Sequence, residues 1–215
     1  MNYQINTGKE DIEKARENLQ EGLKKVSEAL PKETTLDVDV GWNSSDFVVN
    51  EMKGTSGKSY GQDRIRILFN SNAENWEKNI QGSAVHEYTH SWFYEKIGGL
   101  VEEEWRYILD EALTQNMTEK LVPEAEEPWR TKFSKEEIAE YWPKIKEEEL
   151  DKKREGWPDP LFINQKEDGE YPNWLGYSLA YQIGKELLKE YTPEEIIKLR
   201  KEDVIEVGDR IFRKD

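Results

Sequence analysis

The stretch HEYTH at residues 86–90 contains both histidines of a 215-residue chain. Two positions four residues apart project from the same face of an α-helix, so the imidazoles of His86 and His90 can reach one metal ion. Glu87 lies one step around the helix, near enough to hold a metal-bound water molecule without being a ligand. Apolar neighbours such as Ala84 and Trp92 indicate a helix that is buried over much of its circumference, where polar side chains need partners. The stretch therefore predicts a metal site on a buried helix, against the alternative of two surface histidines beside a solvated glutamate.

The composition of the chain restricts the other ligands of such a site. Catalytic zinc ions usually have three protein ligands and one open position, and the chain has no cysteine and no third histidine. Either the third ligand is a carboxylate or the site is incomplete. LDEALTQN at residues 109–116 offers Glu111 on the next predicted helix. Asp110 is its rival, although its shorter side chain points about 100° away. We predict His86, His90 and Glu111 as the ligands of Zn²⁺.

Residue periodicity predicts helices and a small sheet in the first half of the chain. The predicted elements, in order, are a helix from Thr7, its N-cap, to Leu30 before Pro31; a strand in TTLDVDVGW (34–42); a weaker strand in DFVVNEM (46–52); a loop or hairpin turn in GTSGKSYGQD (54–63); a strand in RIRILFN (64–70); and a helix over 76–97 that Gly98 and Gly99 close.

The second half of the chain is predicted to be mainly helical. The predicted elements are a helix over 102–121 that stops before Pro123, a charged helix in FSKEEIAEYWPKIKEEELDKK (133–153) interrupted or kinked near Pro143, an irregular loop in GWPDPLFINQKEDGEYPN (156–173), a helix in WLGYSLAYQIGKELLKEY (174–191), and two short helices. Together these elements predict an α+β fold with a small N-terminal sheet, an active-site helix and a mainly helical C-terminal half. We expect one domain over 1–215, with one lobe over 1–98 and a second over 99–215.

The charge of the chain restricts its partners. A net charge of −15 argues against binding to nucleic acid or to an anionic membrane surface. The N-terminal residues MNYQINTGKE lack the apolar core of a signal peptide, and no apolar run is long enough to cross a bilayer. We therefore expect a soluble, cytoplasmic protein, for which the sequence predicts no oligomeric state.

Several motifs together resemble the gluzincin metallopeptidases, in which HExxH is followed by a glutamate as third zinc ligand. The pairing of HEYTH with DEALTQ (110–115) carries this resemblance, and RIRILFN resembles the gluzincin edge strand that pairs with an extended peptide. The runs AVHEYTHSWF (84–93) and PNWLGYSLAYQIGKELL (172–188) are more closely similar to the YjaZ-like predicted zinc-dependent proteases. This resemblance covers about residues 60 to 190.

The resemblance implies a zincin-like fold and a zinc-dependent peptidase acting on peptides or proteins. It implies that Glu87 is the general base for a zinc-activated water and that Tyr177, or Tyr181 one turn later, donates to the oxyanion. The strand over 64–69 would align the substrate. The chain departs from the family pattern at Gln115, where gluzincins often have an aspartate that orients a histidine, and at Ala112, where YjaZ-like proteases usually have glycine.

Three other functions compete with this prediction. A zinc-stabilised protein could hold peptides or a partner without cutting them, and its function would survive Glu87→Gln. A zinc hydrolase could act on a non-peptide amide or ester, for which a deep small pocket would be typical. Finally, HExxH could be accidental in an acidic interaction protein.

Overall fold

The computed structural model of the chain describes residues 5–6, 11–154, 159–163 and 169–213. Its fold is α+β, as predicted, with a small sheet in the first half and a mainly helical second half. The strands are β1 (Ile5–Asn6), β2 (Asp37–Trp42), β3 (Thr55–Ser59) and β4 (Arg64–Phe69). The helices are α1 (Ile12–Ala29), α2 (Asp46–Asn50), α3 (Trp76–Ile97), α4 (Glu104–Leu121), α5 (Lys135–Glu148), α6 (Leu175–Glu190), α7 (Pro193–Ile196) and α8 (Lys201–Ile211).

The described strands form one sheet in the order β1-β2-β4-β3. The strands β1, β2 and β4 are parallel, and β3 pairs antiparallel with β4 through the hairpin turn at residues 60–63. Val38 and Val40 of β2 lie opposite Ile65 and Ile67 of β4, and this apolar face of the sheet is buried. The prediction that the strand over 64–69 lies at the edge is wrong, because β4 has a neighbour on each side. The edge strand next to β4 is β3.

Helix α3 packs against the sheet and against α1. The close approach of α1 requires Gly22, because a Cβ atom there would overlap the backbone carbonyl of Gln81. Residues on nearly every side of α3 between Ile80 and Tyr94 are buried, as the apolar neighbours of HEYTH indicated. The helix ends at Ile97, and Gly98 adopts the left-handed conformation of a C-cap, with φ of 77°.

A group of four residues, here called the anchor cluster, ties the connection between α1 and β2 to the later half of α3. It comprises Lys32, Thr34, Ser91 and Glu95. Lys32 Nζ donates to the Ser91 carbonyl and hydroxyl, each at 2.9 Å, and lies 3.6 Å from Glu95 Oε2. Burial lowers the pKa of Lys32 to about 8 despite the Glu95 carboxylate. Burial alone would raise the pKa of Glu95, but hydrogen bonds from Thr34 and the Glu33 amide lower it to about 2.

The chain divides into two compact units. The first comprises Met1–Leu100 and Asn116–Pro128, and holds the sheet with α1 to α3. The second comprises Val101–Gln115 and Trp129–Asp215. In the second unit α5, α6 and α8 pack together, and a Cβ atom at Gly208 of α8 would overlap the ring of Trp142 on α5.

Some elements differ from their sequence predictions. Residues 46–50 form helix α2 and not a strand, because Asp46 occupies a first helical turn and only Val48 of this segment is buried. The segment 54–63, predicted as a loop or hairpin turn, contributes strand β3 before its turn. Helix α5 continues through Pro143, whereas an interruption was one of the two predicted outcomes.

Other predictions fall partly or wholly outside the described residues. Thr7 lies among residues that the structure does not describe, and the described helix α1 begins at Ile12. The loop over 156–173 is described only at 159–163 and 169–173, which form turns and bends. Within the described chain, no helix combines the length and the apolarity needed to cross a membrane.

Candidate metal centre

The two histidines of HEYTH lie side by side on α3, as the helical spacing predicted. Both are buried, and their Nε2 atoms are 3.2 Å apart. Two nitrogen ligands at ~2.0–2.1 Å from one tetrahedral zinc ion would themselves be about 3.3 Å apart. The rings are inclined at 70°, which lets both nitrogens converge on one point. The pair therefore fits a zinc ion in both atom type and spacing.

Glu127 fixes the other nitrogen of His86, and sequence reasoning missed it. The Nδ1–H group of His86 donates to Glu127 Oε1 at 2.8 Å, and both side chains are buried. A neutral imidazole that carries its proton on Nδ1 presents the Nε2 lone pair, which is the form that binds a metal. Glu127 is one of three glutamates in EAEEPW (124–129), and nothing in that run distinguishes it from its neighbours.

The carboxyl of Glu87 faces strand β3. Glu87 is only 6% exposed, and a Cβ atom at Gly57 of β3 would overlap its carboxyl group. The alternation of β3 points Thr55 toward α3 as well, where it accepts a hydrogen bond from Ser83. The absence of a side chain at Gly57 thus makes room for the predicted general base against the edge strand.

Glu111 is buried on α4, with a partner for each carboxylate oxygen. The Tyr107 hydroxyl donates to Oε1 at 2.8 Å, and Gln115 Nε2 approaches Oε2 at 3.4 Å. The role of Glu111 as a third metal ligand beside His86 and His90 stays a prediction. Two imidazoles and one carboxylate are the donor set expected for catalytic zinc, and the choice of Glu111 over Asp110 stays a prediction.

Gln115 stands where the resemblance would place an aspartate that orients a histidine. Its Nε2 group donates to the Tyr177 backbone carbonyl at 3.1 Å in addition to approaching Glu111. Gln115 therefore supports the predicted carboxylate ligand, while a carboxylate from another segment, Glu127, contacts His86. Both Glu111 and His86 therefore have a hydrogen-bond partner, although Gln115 replaces the aspartate of the family pattern.

Tyr107 is a second residue that sequence reasoning missed. The Arg154 guanidinium lies over its ring, 3.2 Å from the centroid, and also pairs with Asp159 at 3.0 Å. Behind this pair, burial and the nearby Asp159 raise the pKa of Glu104 to about 8, although Arg154 opposes the shift. A buried charged network thus holds the tyrosine that donates to Glu111.

The two tyrosines proposed from the resemblance both lie on α6. The half-buried Tyr177 ring packs edge-on against Phe162, with centroids 5.0 Å apart. The Tyr181 ring is buried, and Lys185 Nζ lies 3.4 Å from its hydroxyl. Donation by either hydroxyl to an oxyanion stays a prediction.

A group of carboxylates in the second unit, Glu148, Glu149 and Glu170, is also close enough to hold a cation. Glu149 already accepts hydrogen bonds from the Tyr171 hydroxyl at 2.9 Å and from Lys152 at 2.8 Å. Glu148 and Glu170 are exposed. This group has the character of a solvated ion-pair network.

Comparison with known proteins agrees with the chemistry of the histidine pair. A family model described as predicted Zn-dependent protease (DUF2268) matches residues 15–206. Neither the curated proteins nor the solved structures contain a match to the chain.

Proposed function

The chain belongs to the family of predicted Zn-dependent proteases, and from that premise we propose that it is a zinc-dependent peptidase with HExxH chemistry of the gluzincin type. His86, His90 and Glu111 hold the ion, and Glu87 is the general base. The observation that carries the proposal is the buried pair of Nε2 atoms 3.2 Å apart, with Glu87 next in sequence.

Zinc, when bound, supplies a Lewis acid that activates both water and the carbonyl of a scissile bond. The carboxylate of Glu87 removes the proton from the attacking water and delivers it to the leaving amine. Its burial against β3 supports this role, because the carboxyl is held beside Gly57 and shielded from bulk solvent.

We propose that the substrate is an extended peptide that pairs with β3. This replaces the earlier expectation for the strand over 64–69, which is interior to the sheet. Among the described strands β3 has a partner on one edge only, and added strands commonly bind to such edges. Gly57 lies in the middle of β3 beside Glu87, so a peptide along this strand would pass the general base.

For the oxyanion we propose Tyr177 as the hydrogen-bond donor, with Tyr181 as the alternative. The support for Tyr177 is the family resemblance of the α6 segment and the tie between its backbone carbonyl and Gln115, which also approaches Glu111. Substitution by phenylalanine tests each tyrosine separately. The donor's loss should lower kcat by about 10²–10³-fold while zinc binding is unchanged.

The direct test is hydrolysis of an unfolded protein substrate by wild type and by Glu87→Gln, each with its zinc content measured. We expect wild type to cleave the substrate, to lose activity with a chelator and to regain it with zinc. Glu87→Gln should retain zinc and lose about 10²–10⁴-fold in rate, because general-base catalysis contributes on that scale.

Two outcomes would overturn the proposal. Zinc-loaded wild type that binds unfolded peptides without cutting them would be a binding protein. Cleavage of small amides or esters, without any cleavage of peptides, would make the chain a non-peptide hydrolase.

A further inference from the structure

The segment Glu124–Glu127, here called the strap, follows α4 and lies along α3. The N-cap residue Asn75 and three positions of α3 contact it, namely Asn79, Gly82 and His86. These positions are separated by four, three and four residues, which is the spacing of a single helix face. The strap therefore follows one face of α3 and ends at the first histidine of HEYTH.

Three contacts fix the strap before it reaches His86. Asn75 Nδ2 donates to the Glu124 carbonyl at 2.9 Å, and Asn79 Oδ1 accepts from the Glu126 amide at 2.8 Å. At Gly82 the strap approaches so closely that a Cβ atom there would overlap the Ala125 Cβ. The position of Glu127 is thus set by backbone contacts and close packing as well as by its own side chain.

We infer that Glu127 is the positioning residue for His86, and that the strap with Gly82 is the device that places it. This inference rests on the proposed zinc site. Because an ionised carboxylate only accepts hydrogen bonds, Glu127 holds the His86 proton on Nδ1 and directs the Nε2 lone pair toward His90. The Nδ1–Oε1 bond also fixes the rotation of the His86 ring.

A glutamine at position 127 would lose this control. Its amide has the size of the carboxyl but can either accept from Nδ1–H or donate to Nδ1, and the second arrangement moves the imidazole proton to Nε2. That proton must leave before a metal binds. Glu127→Gln should therefore weaken zinc binding without removing a ligand.

The test is the zinc dissociation constant by competition with a chromophoric chelator, for wild type, Glu127→Gln and the matched control Glu126→Gln. Glu126 lies on the same strap, is exposed and accepts from Asn75 at 3.2 Å. We expect affinity to fall about 10–100-fold in Glu127→Gln, the usual cost of losing a partner of a ligating histidine, and to stay unchanged in Glu126→Gln.

A second variant moves the strap and keeps the carboxylate. Gly82→Ala should displace Ala125 and Glu127 together and so weaken zinc binding as well, with the helical circular dichroism retained. The thermal midpoint of the zinc-free proteins is measured in parallel. A purely structural Glu127 would lower that midpoint and leave the zinc dissociation constant at the wild-type value, which would overturn the inference.

The same measurement separates this inference from the proposed function. If wild type binds zinc tightly and Glu127→Gln binds it equally well, only the positioning role is wrong. If wild type binds no zinc, the proposed function itself is wrong and the positioning role falls with it.

Discussion

Helix α3 carries two buried polar clusters that differ in how their atoms face one another. In the anchor cluster each close contact joins a donor to an acceptor or a positive charge to a negative one. Lys32 donates to Ser91 and lies beside Glu95, and Glu95 accepts from Thr34. At the histidine pair two atoms of the same kind, the Nε2 nitrogens of His86 and His90, face each other at 3.2 Å.

The two clusters differ in what is needed to satisfy their buried polar atoms. Ser91 of the anchor cluster is buried like the two histidines, and the Glu95 side chain is only 9% exposed, so burial alone does not identify a site. Buried polar groups generally require hydrogen-bond partners. In the anchor cluster, donors and acceptors of the protein itself provide these partners. Two nitrogens of one kind at this distance are brought together by one shared proton or by one metal ion.

The comparison predicts that the largest loss of unfolding free energy comes from a substitution in the anchor cluster. Glu95→Gln leaves the Lys32 ammonium buried without its carboxylate, and loss of one partner of a buried ion pair costs about 3–5 kcal/mol. Denaturant unfolding at pH 7 measures this loss. The zinc dissociation constant of the variant should equal that of wild type, and a large change in it would mean that the two clusters are not independent.

The pH dependence of the same variant sharpens the comparison. The pKa of Glu95 is lowered from 4.5 to about 2 in the folded chain, so its stabilising contribution is complete above pH 4.5 and is lost as the pH falls toward 2. The stability difference between wild type and Glu95→Gln should shrink by about 3 kcal/mol over that window. A difference that stays constant from pH 5 to pH 2 would contradict this origin.

On β3, which lies beside Glu87 of α3, Gly57→Ala should impair catalysis and leave zinc binding unchanged. The added Cβ would overlap the Glu87 carboxyl, and a displacement of about 1 Å at a catalytic group can cost about 10²-fold in rate. We expect kcat/KM to fall about 10–100-fold with zinc content unchanged. Ser56→Ala, whose side chain lies on the other face of β3, is the control and should behave as wild type.

The smallest predicted effect concerns the network behind Tyr107. The pKa of Glu104 is raised from 4.5 to about 8 by burial and by Asp159, so the folded chain loses stability relative to the unfolded chain as the pH rises from 4.5 to 8. Glu104→Gln has no such loss. Above pH 8 it should be more stable than wild type by on the order of 1 kcal/mol in denaturant unfolding, whereas lower stability at that pH would contradict the raised pKa.

The sequence predicted those parts of the fold that depend on periodicity over many residues. Helix α3 was predicted with both of its ends, because its apolar positions recur over six turns and Gly98 marks its C-cap. For the short helix α2 the sequence predicts a strand, because FVV consists of strand-forming residues. The local hydrogen bonds that form this helix leave no pattern in five residues. Periodicity also could not predict the order of the strands in the sheet, because an interior strand and an edge strand can show the same alternation as β4.

At the candidate site, the sequence indicated those residues whose spacing is set within one element. His86, Glu87 and His90 belong to one helix, and the lack of other histidines and cysteines directed attention to Glu111. Glu127 and Gly57 act through contacts between distant segments, 41 and 30 positions from their partners, and no local pattern distinguishes them. The arrangement of the chain as one domain over 1–215 stays a prediction.

The central claim is that the histidine pair of α3 holds one zinc ion with Glu111, and zinc content per chain tests it most directly. Wild type and Glu111→Ala are loaded with zinc, dialysed side by side under mild chelation and analysed for metal. We predict one zinc per chain in wild type and a weakened or lost ion in the variant. Wild type that retains no zinc after loading would contradict the account.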